Sequence, residues 1–201
     1  VLIAAIIVLL IICALMAIVT GVIFAQERSG SGAGPQCFLD NLELRAAAIR
    51  YVKGGCGAGA DVCVGDSEKY GWPIGSWCVY QVTDMSNLFQ GLDTFNEDIS
   101  QWDVGQVTDM EDMFYGASSF NQHLLSWDTS AVITMKSMFS GASAFNGNIS
   151  SWNVSNVTNM AMMFRNNSSF NQDLSSWNVS KVTQMQEMFS GATAFDGNIS
   201  S

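Results

Sequence analysis

The sequence predicts an α/β repeat: a solenoid of 25-residue coils, each a short parallel strand plus a short helix. An N-terminal helical, disulfide-bonded cap and one transmembrane helix are expected ahead of it. Three observations carry this prediction. Large apolar residues recur at one spacing from Tyr70 to Ser201. An uncharged apolar run fills Val1 to Ala25. Cys37, Cys56, Cys63 and Cys78 gather between the two.

The repeat is a set of fixed columns. Phe95, Phe120, Phe145, Phe170 and Phe195 form one, and Phe89, Phe114, Phe139, Phe164 and Phe189 another. Trp77 through Trp177, Val82 through Val182 and Met85 through Met185 keep the same phase. Polar residues vary between the columns. Such a pattern arises when coils of one shape stack, because each column buries against its own copy one coil away. Within a coil, Met110, Met113, Phe114 and Ala117 give the face of a short helix. Thr108 with Glu111, and Thr183 with Gln186, suit its N-terminal cap. Gly91, Gly116, Gly141 and Gly191, with Asn166 as substitute, suit a left-handed stop. Ile99, Trp102 and Val104 alternate with outward Asp103, as in a short strand, and stacked strands would rise about 4.8 Å per coil. The column Asn96, Asn121, Asn146, Asn171 and Asp196 suits an inward ladder whose side chains bond turn backbone groups of adjacent coils.

Val1 to Ala25 is long enough to cross a bilayer, which takes about 20 helical residues. It is longer than the apolar part of most cleaved signal peptides, so an uncleaved signal-anchor is the expectation. Residues 26–36 read as a Gly/Ser linker and residues 37–69 as the cap, with a helix over about 40–53. Asp40 and Glu43 make a capping box, with Leu39 and Leu44 as a hydrophobic staple. Leu42, Ala46, Ile49 and Lys53 fall at helical spacing, with Leu39 and Val52 close by, and are expected to mark the inward face of an amphipathic helix. Gly54 and Gly55 end this helix. The four cysteines suggest two disulfides, with three pairings open. Residues 70–201 form the repeat domain, which stops inside a repeat restarted at Phe195. The chain reads as a piece of something longer.

Composition narrows the chemistry. A net charge of −10 opposes nucleic-acid binding. With one histidine, no nucleophilic relay can be built in the repeats except around His123, whose column neighbours are ordinary surface polar residues. There is no Gly-rich phosphate loop and no zinc-ligand spacing, and the mixed column Asp98, His123, Asn148, Asp173 and Asn198 makes a poor calcium site. No catalysis, metal or cofactor is expected. Asn148, Asn153, Asn156, Asn166, Asn167, Asn178 and Asn198 each begin an Asn-x-Ser/Thr triplet, the acceptor pattern for N-glycosylation.

The stretch FNQDLSSWNVSKVTQMQEMFSGATAF resembles the 25-residue repeat of BspA-like leucine-rich-repeat surface proteins, which also occur in mycoplasma lipoproteins and in some microalgae and protists. The resemblance spans about Tyr70 to Ser201. It implies a leucine-rich-repeat-like solenoid on a cell-surface or secreted protein concerned with adhesion, and it carries over no catalytic residues. One coil departs from the pattern at Leu125, Thr129 and Ile133. The expected function is a membrane-anchored, non-catalytic recognition or adhesion module with its repeats outside the cell. It would bind protein or glycan through outward residues Gln101, Asp103, Ser126, Asp128, Ser151, Asn153, Ser176 and Asn178. The competing expectation is a structural subunit that self-assembles through solenoid edges.

Overall fold

The apolar columns do form a continuous core, but neither the expected helix nor the expected strand builds it. The computed structural model describes residues 35–59 and 63–197, within a compact unit from Pro35 to Ser201. Its regular elements are α1 (Asn41–Lys53), a 3-10 turn at Cys56–Ala58, α2 (Val64–Tyr70) and a 3-10 turn at Ile74–Ser76. Beyond these, the described residues hold no regular helix and no sheet. The units are chains of turns, joined by single parallel bridges from Asp84 to Asp109, Thr134, Asn159 and Gln184.

The backbone accounting explains why. In a helix every N–H reaches the carbonyl four residues back. Here alternate N–H groups close three-residue turns: Met113 to Met110 (3.3 Å), Tyr115 to Asp112 (3.0 Å) and Ala117 to Phe114 (3.0 Å). The N–H groups between them leave the unit. Met110, Asp112, Phe114 and Gly116 donate to Thr134, Lys136, Met138 and Ser140 of the next unit, at 2.8–3.1 Å. Met135, Ser137, Phe139 and Gly141 repeat the register onto Asn159, Ala161, Met163 and Arg165. The chain reverses sense at two left-handed residues per unit, such as Asp112 (φ 55) and Gly116 (φ 68). The glycine column therefore is left-handed, as is Asn166, but it terminates no helix.

The α/β leucine-rich-repeat-like solenoid is thus corrected. Met110, Met113, Phe114 and Ala117 are all fully buried, because overlapping turns turn the same positions inward as a helix would. Thr108 caps nothing; its hydroxyl donates to the Thr83 carbonyl of the preceding unit at 3.2 Å. The Asn column does bond the adjacent unit, since each Oδ1 accepts the N–H of the next member, as Asn96 does from Asn121 at 2.8 Å. It lies at the surface rather than inward.

Two side-chain systems lock the stack. Within a unit the Phe rings pair face to face, with Phe114 and Phe120 at 4.0 Å and Phe139 and Phe145 at 3.9 Å. Between units each Phe meets its own copy at 5.3–6.0 Å, as in Phe114 with Phe139 and Phe145 with Phe170. Such pairs add about 0.5–1.5 kcal/mol each beyond area burial. The Trp column adds polarity: the indole N–H groups of Trp102, Trp127, Trp152 and Trp177 donate to the carbonyls of Ile74, Ile99, Leu124 and Ile149. Each of these carbonyls also closes its own turn, as Ile99 does with the Trp102 N–H at 3.1 Å, and the next unit's indole is its second donor.

The cap covers the first unit. Asp40 caps α1 by accepting the Glu43 N–H at 2.8 Å. The Glu43 carboxylate bonds Lys69 and the Tyr70 hydroxyl, and this contact with Lys69 and Tyr70 holds its pKa below the usual carboxylate value. The expected inward face of α1 holds only in part: Ile49 and Val52, partly buried, pack against the core. Leu44, Ala47, Ala48 and Tyr51 are buried, while Leu42 is 80% and Leu39 66% exposed, so no Leu39–Leu44 staple forms. Small alanines bring the helix close enough for Tyr51 to meet Trp77 edge-on at 5.6 Å. Asn41 bonds the Asp84 carboxylate and the Ser86 carbonyl, tying α1 to the first turns of the stack. The disulfides pair Cys37 with Cys78 and Cys56 with Cys63. Closing the 41-residue separation of the first constrains the unfolded chain, an effect of about 4 kcal/mol in the chain-entropy treatment.

The expectation of a single-pass membrane protein is also corrected. Among the described residues no helix is long and apolar enough to cross a membrane. The expected span, residues 1–25, lies outside the described residues, as does most of the expected linker.

Two stability predictions follow from the turn chain and the Trp column. Met162 is left-handed at φ 58, a conformation that costs most side chains about 1–2 kcal/mol. Met162→Gly should therefore unfold at higher urea than Met162→Val, by about 1 kcal/mol once the entropy of glycine is subtracted. Trp127→Phe removes the inter-unit bond to the Ile99 carbonyl, which keeps the Trp102 N–H, and should cost about 0.5–1.5 kcal/mol in the same assay. Equal midpoints in the first pair, or an unchanged midpoint in the second, would contradict the backbone scheme.

Candidate functional site

The residues expected to bind a partner are placed by turns rather than by a strand. Gln101, Asp103, Ser126, Asp128, Ser151, Asn153, Ser176 and Asn178 are all exposed, and the structure brings them into one row, two per unit. Between each pair sits a buried Trp; one residue further along lie Val104, Thr129, Val154 and Val179, the first three of them buried. The two members of a pair are held differently.

The Asx member caps its own turn. Asp103 Oδ1 accepts the Gly105 N–H at 3.2 Å and Asp128 Oδ1 that of Ser130 at 3.0 Å. Asn153 and Asn178 accept from Ser155 and Ser180, both at 3.1 Å. One side-chain oxygen is thereby spent on the backbone, leaving the second carboxylate oxygen, or the amide nitrogen, directed outward. The serine member ties units together. Ser126, Ser151 and Ser176 donate their hydroxyls to the carbonyls of Ser100, Leu125 and Ser150 of the preceding unit. Gln101 reaches the Ser100 hydroxyl. The row is a rigid polar rail, acidic at Asp103 and Asp128 and neutral at Asn153 and Asn178.

Electrostatics separate this row from a second acidic column. Hydrogen bonding from Ser130 holds Asp128 below the usual aspartate value; Ser100 and Ser175, chiefly through their N–H groups, do the same for Asp98 and Asp173. Asp109, on the bridge column, goes the other way. Burial raises its pKa, and Asp84 and Glu111 nearby add to the rise against the Glu111 N–H. Burial and Glu111 raise Asp112 as well. Lys136, paired with Glu111 at 2.5 Å, offsets part of this repulsion.

His123 has a structural use: its Nδ1 accepts the Asn148 N–H at 3.0 Å. Among the described residues no group of three or more His, Cys, Asp or Glu side chains could hold a metal ion. Leu125 and Ile133, the two apolar departures in one unit, are 44% and 51% exposed. Thr129 in that unit is buried and donates to the Asn153 carbonyl at 3.1 Å, so the substitution of Thr for Val is accommodated without distortion. Sequence reading missed the serine ties. The Asx turns were legible in principle, from Asp or Asn two residues before Ser or Gly.

The sequons fall into different environments. Asn153 and Asn178 are exposed, Asn148 is half-buried, and Asn167 is fully buried. Asn156 is exposed, but its Nδ2 donates to the Ser130 carbonyl and its Oδ1 accepts Lys181. Asn166 is exposed, with its carboxamide against the Gly191 backbone. Asn198 lies outside the described residues.

A stack of turn-built 25-residue units with a disulfide-bonded cap and an exposed polar row defines a repeat protein. Residues 63–153 and 122–201 match the family described as Mycoplasma protein of unknown function, DUF285. Together the matches cover more than half of the chain, and the chain belongs to that family. The match is compatible with a non-catalytic surface protein; it does not by itself identify a BspA-like or leucine-rich-repeat protein. No curated protein and no solved structure matches.

The raised pKa of Asp109 sets a pH test. A carboxyl raised by folding destabilises the fold when ionised, at pH above its folded pKa, and the penalty vanishes below the unfolded value. Asn159 already fills this column and keeps the same turn through the Ala161 N–H. Asp109→Asn should thus raise the melting temperature at pH 7, and the gain should disappear as pH falls through the carboxylate range. A gain that persists at pH 3, or a loss at pH 7, would refute the assignment.

Proposed function

We propose that the chain is a non-catalytic recognition or adhesion module that binds a protein or a glycan through the row from Gln101 to Asn178. The observation that supports it is the row itself: eight exposed polar side chains held by turn and inter-unit bonds, repeated at the spacing of the stack. Groups already fixed lose little entropy on binding. The outward oxygens of Asp103 and Asp128 suit cationic side chains of a protein partner. The amides of Asn153 and Asn178 suit sugar hydroxyls, since an amide both donates and accepts.

The test keeps every turn and inverts the charge pattern. Asp103→Asn, Asp128→Asn, Asn153→Asp and Asn178→Asp together preserve the Asx caps, because both residue types already cap in these columns. Binding to whichever immobilised glycan or matrix protein the unaltered chain retains should fall at least tenfold, about 1.4 kcal/mol. Unchanged affinity with an unchanged melting temperature would remove this row from consideration.

A further inference from the structure

We infer that Asn153 and Asn178 are N-glycan acceptors and that Asn156 and Asn167, despite their triplets, are not. The inference bears on the proposed binding row, because a glycan on Asn153 or Asn178 would occupy that amide and leave contact to the acidic half; it concerns which of these side chains a glycosyl transferase can use. The reaction needs a free amide nitrogen and an accessible hydroxyl two residues on. Asn Nδ2 attacks the anomeric carbon of an oligosaccharide carried on a lipid pyrophosphate. The N–C bond forms as the C–O bond to phosphate breaks. The lipid pyrophosphate leaves with the bonding pair, and a base of the transferase takes one amide proton.

Asn153 and Asn178 meet both needs. Each is exposed, and each Oδ1 is held by the N–H of its own triplet serine, Ser155 or Ser180. That bond turns Nδ2 away from the backbone and toward solvent. Among the described residues neither Nδ2 has an acceptor, and neither serine hydroxyl donates to another group.

The other triplets fail on observed contacts. Asn167 is 0% exposed, and its Oδ1 takes the N–H groups of Ser169 and Phe170. It stands in a column otherwise held by Leu92 and small Ala117, Ala142 and Ala192, so a sugar there is incompatible with the stack. Asn156 gives its Nδ2 to Ser130, and its triplet hydroxyl, Thr158, donates to the Ile133 carbonyl at 3.2 Å. At Asn166 the triplet hydroxyl, Ser168, donates to the Ser143 carbonyl at 3.3 Å. Asn148 is only half exposed. The acidic half of the row, Asp103 and Asp128, carries no triplet and stays open for contact.

The full chain, secreted from a eukaryotic host and recovered folded with its disulfides intact, is treated with peptide N-glycosidase in heavy-oxygen water. Each occupied Asn becomes an 18O-labelled Asp. Label at Asn153, Asn178 or both, with Asn156 and Asn167 unlabelled, is the expected result. Ser155→Ala with Ser180→Ala should then remove that label and sharpen the band on a gel, while Ser169→Ala changes neither. Label at Asn156 or Asn167 in folded protein, or label at neither Asn153 nor Asn178, overturns the inference. Binding by the charge-inverted row is compared on protein made in a host without N-glycosylation, so its loss there leaves the inference untouched.

Discussion

The alternation of backbone N–H groups governs this protein. One N–H closes a turn; the next crosses to a carbonyl of the following unit. Met110, Asp112, Phe114 and Gly116 must find Thr134, Lys136, Met138 and Ser140, so the length of each unit is fixed by hydrogen bonding before any side chain is considered. An inserted residue would offset four crossing bonds, two Phe columns and an indole–carbonyl bond together. The repeat is uniform for that reason. The Trp column adds to this dependence: a Phe would fill the space but remove the bond that crosses to the carbonyl of the preceding unit, a loss of about 0.5–1.5 kcal/mol.

Burial was legible from sequence and backbone conformation was not. The Phe, Met, Val and Trp columns announce themselves because a buried position tolerates few residue types. Whether Met110, Met113, Phe114 and Ala117 lie on a helix or on overlapping turns cannot be read from their spacing, since both conformations send them inward. The distinguishing signal was hidden. Gly91, Gly116 and Gly141 resemble helix stops, and the companion left-handed column holds Asn87, Asp112, Ser137, Met162 and Glu187, with no glycine to reveal it. The misread face of α1 has a similar origin. Asp40 was recognisable as a cap. Ala47, Ala48 and Tyr51 lie on the buried face, where Tyr51 meets Trp77, and that partner is remote in sequence.

The same triplets carry two meanings, and the fold separates them. Asn-x-Ser is a glycan acceptor pattern, yet it is also an Asx turn, in which Asn or Asp caps the N–H two residues on. Asp98 with Ser100, Asp128 with Ser130 and Asp173 with Ser175 make the same turn with no amide at all. Most triplets in this chain therefore arise from turn chemistry. Counting them overstates the number of usable acceptors, and each must be judged by where its amide nitrogen and its hydroxyl go.

The candidate row inherits its precision from these turns. Because Asp128 is held ionised by Ser130, its charge is available at any pH above the carboxylate range, without cost to the fold. Asp109 illustrates the opposite arrangement: half-buried beside Asp84 and Glu111, it is strained toward protonation, and its backbone bridges to the units on both sides. Charges placed where the turns stabilise them can serve contact with a partner. Charges placed on the bridge column weaken the stack that presents them. An exposed row whose Asx residues cap their own turns is accordingly a surface on which this fold can vary its recognition residues, since exchange of Asp for Asn there alters what is offered outward while leaving the turn, and every crossing bond behind it, in place.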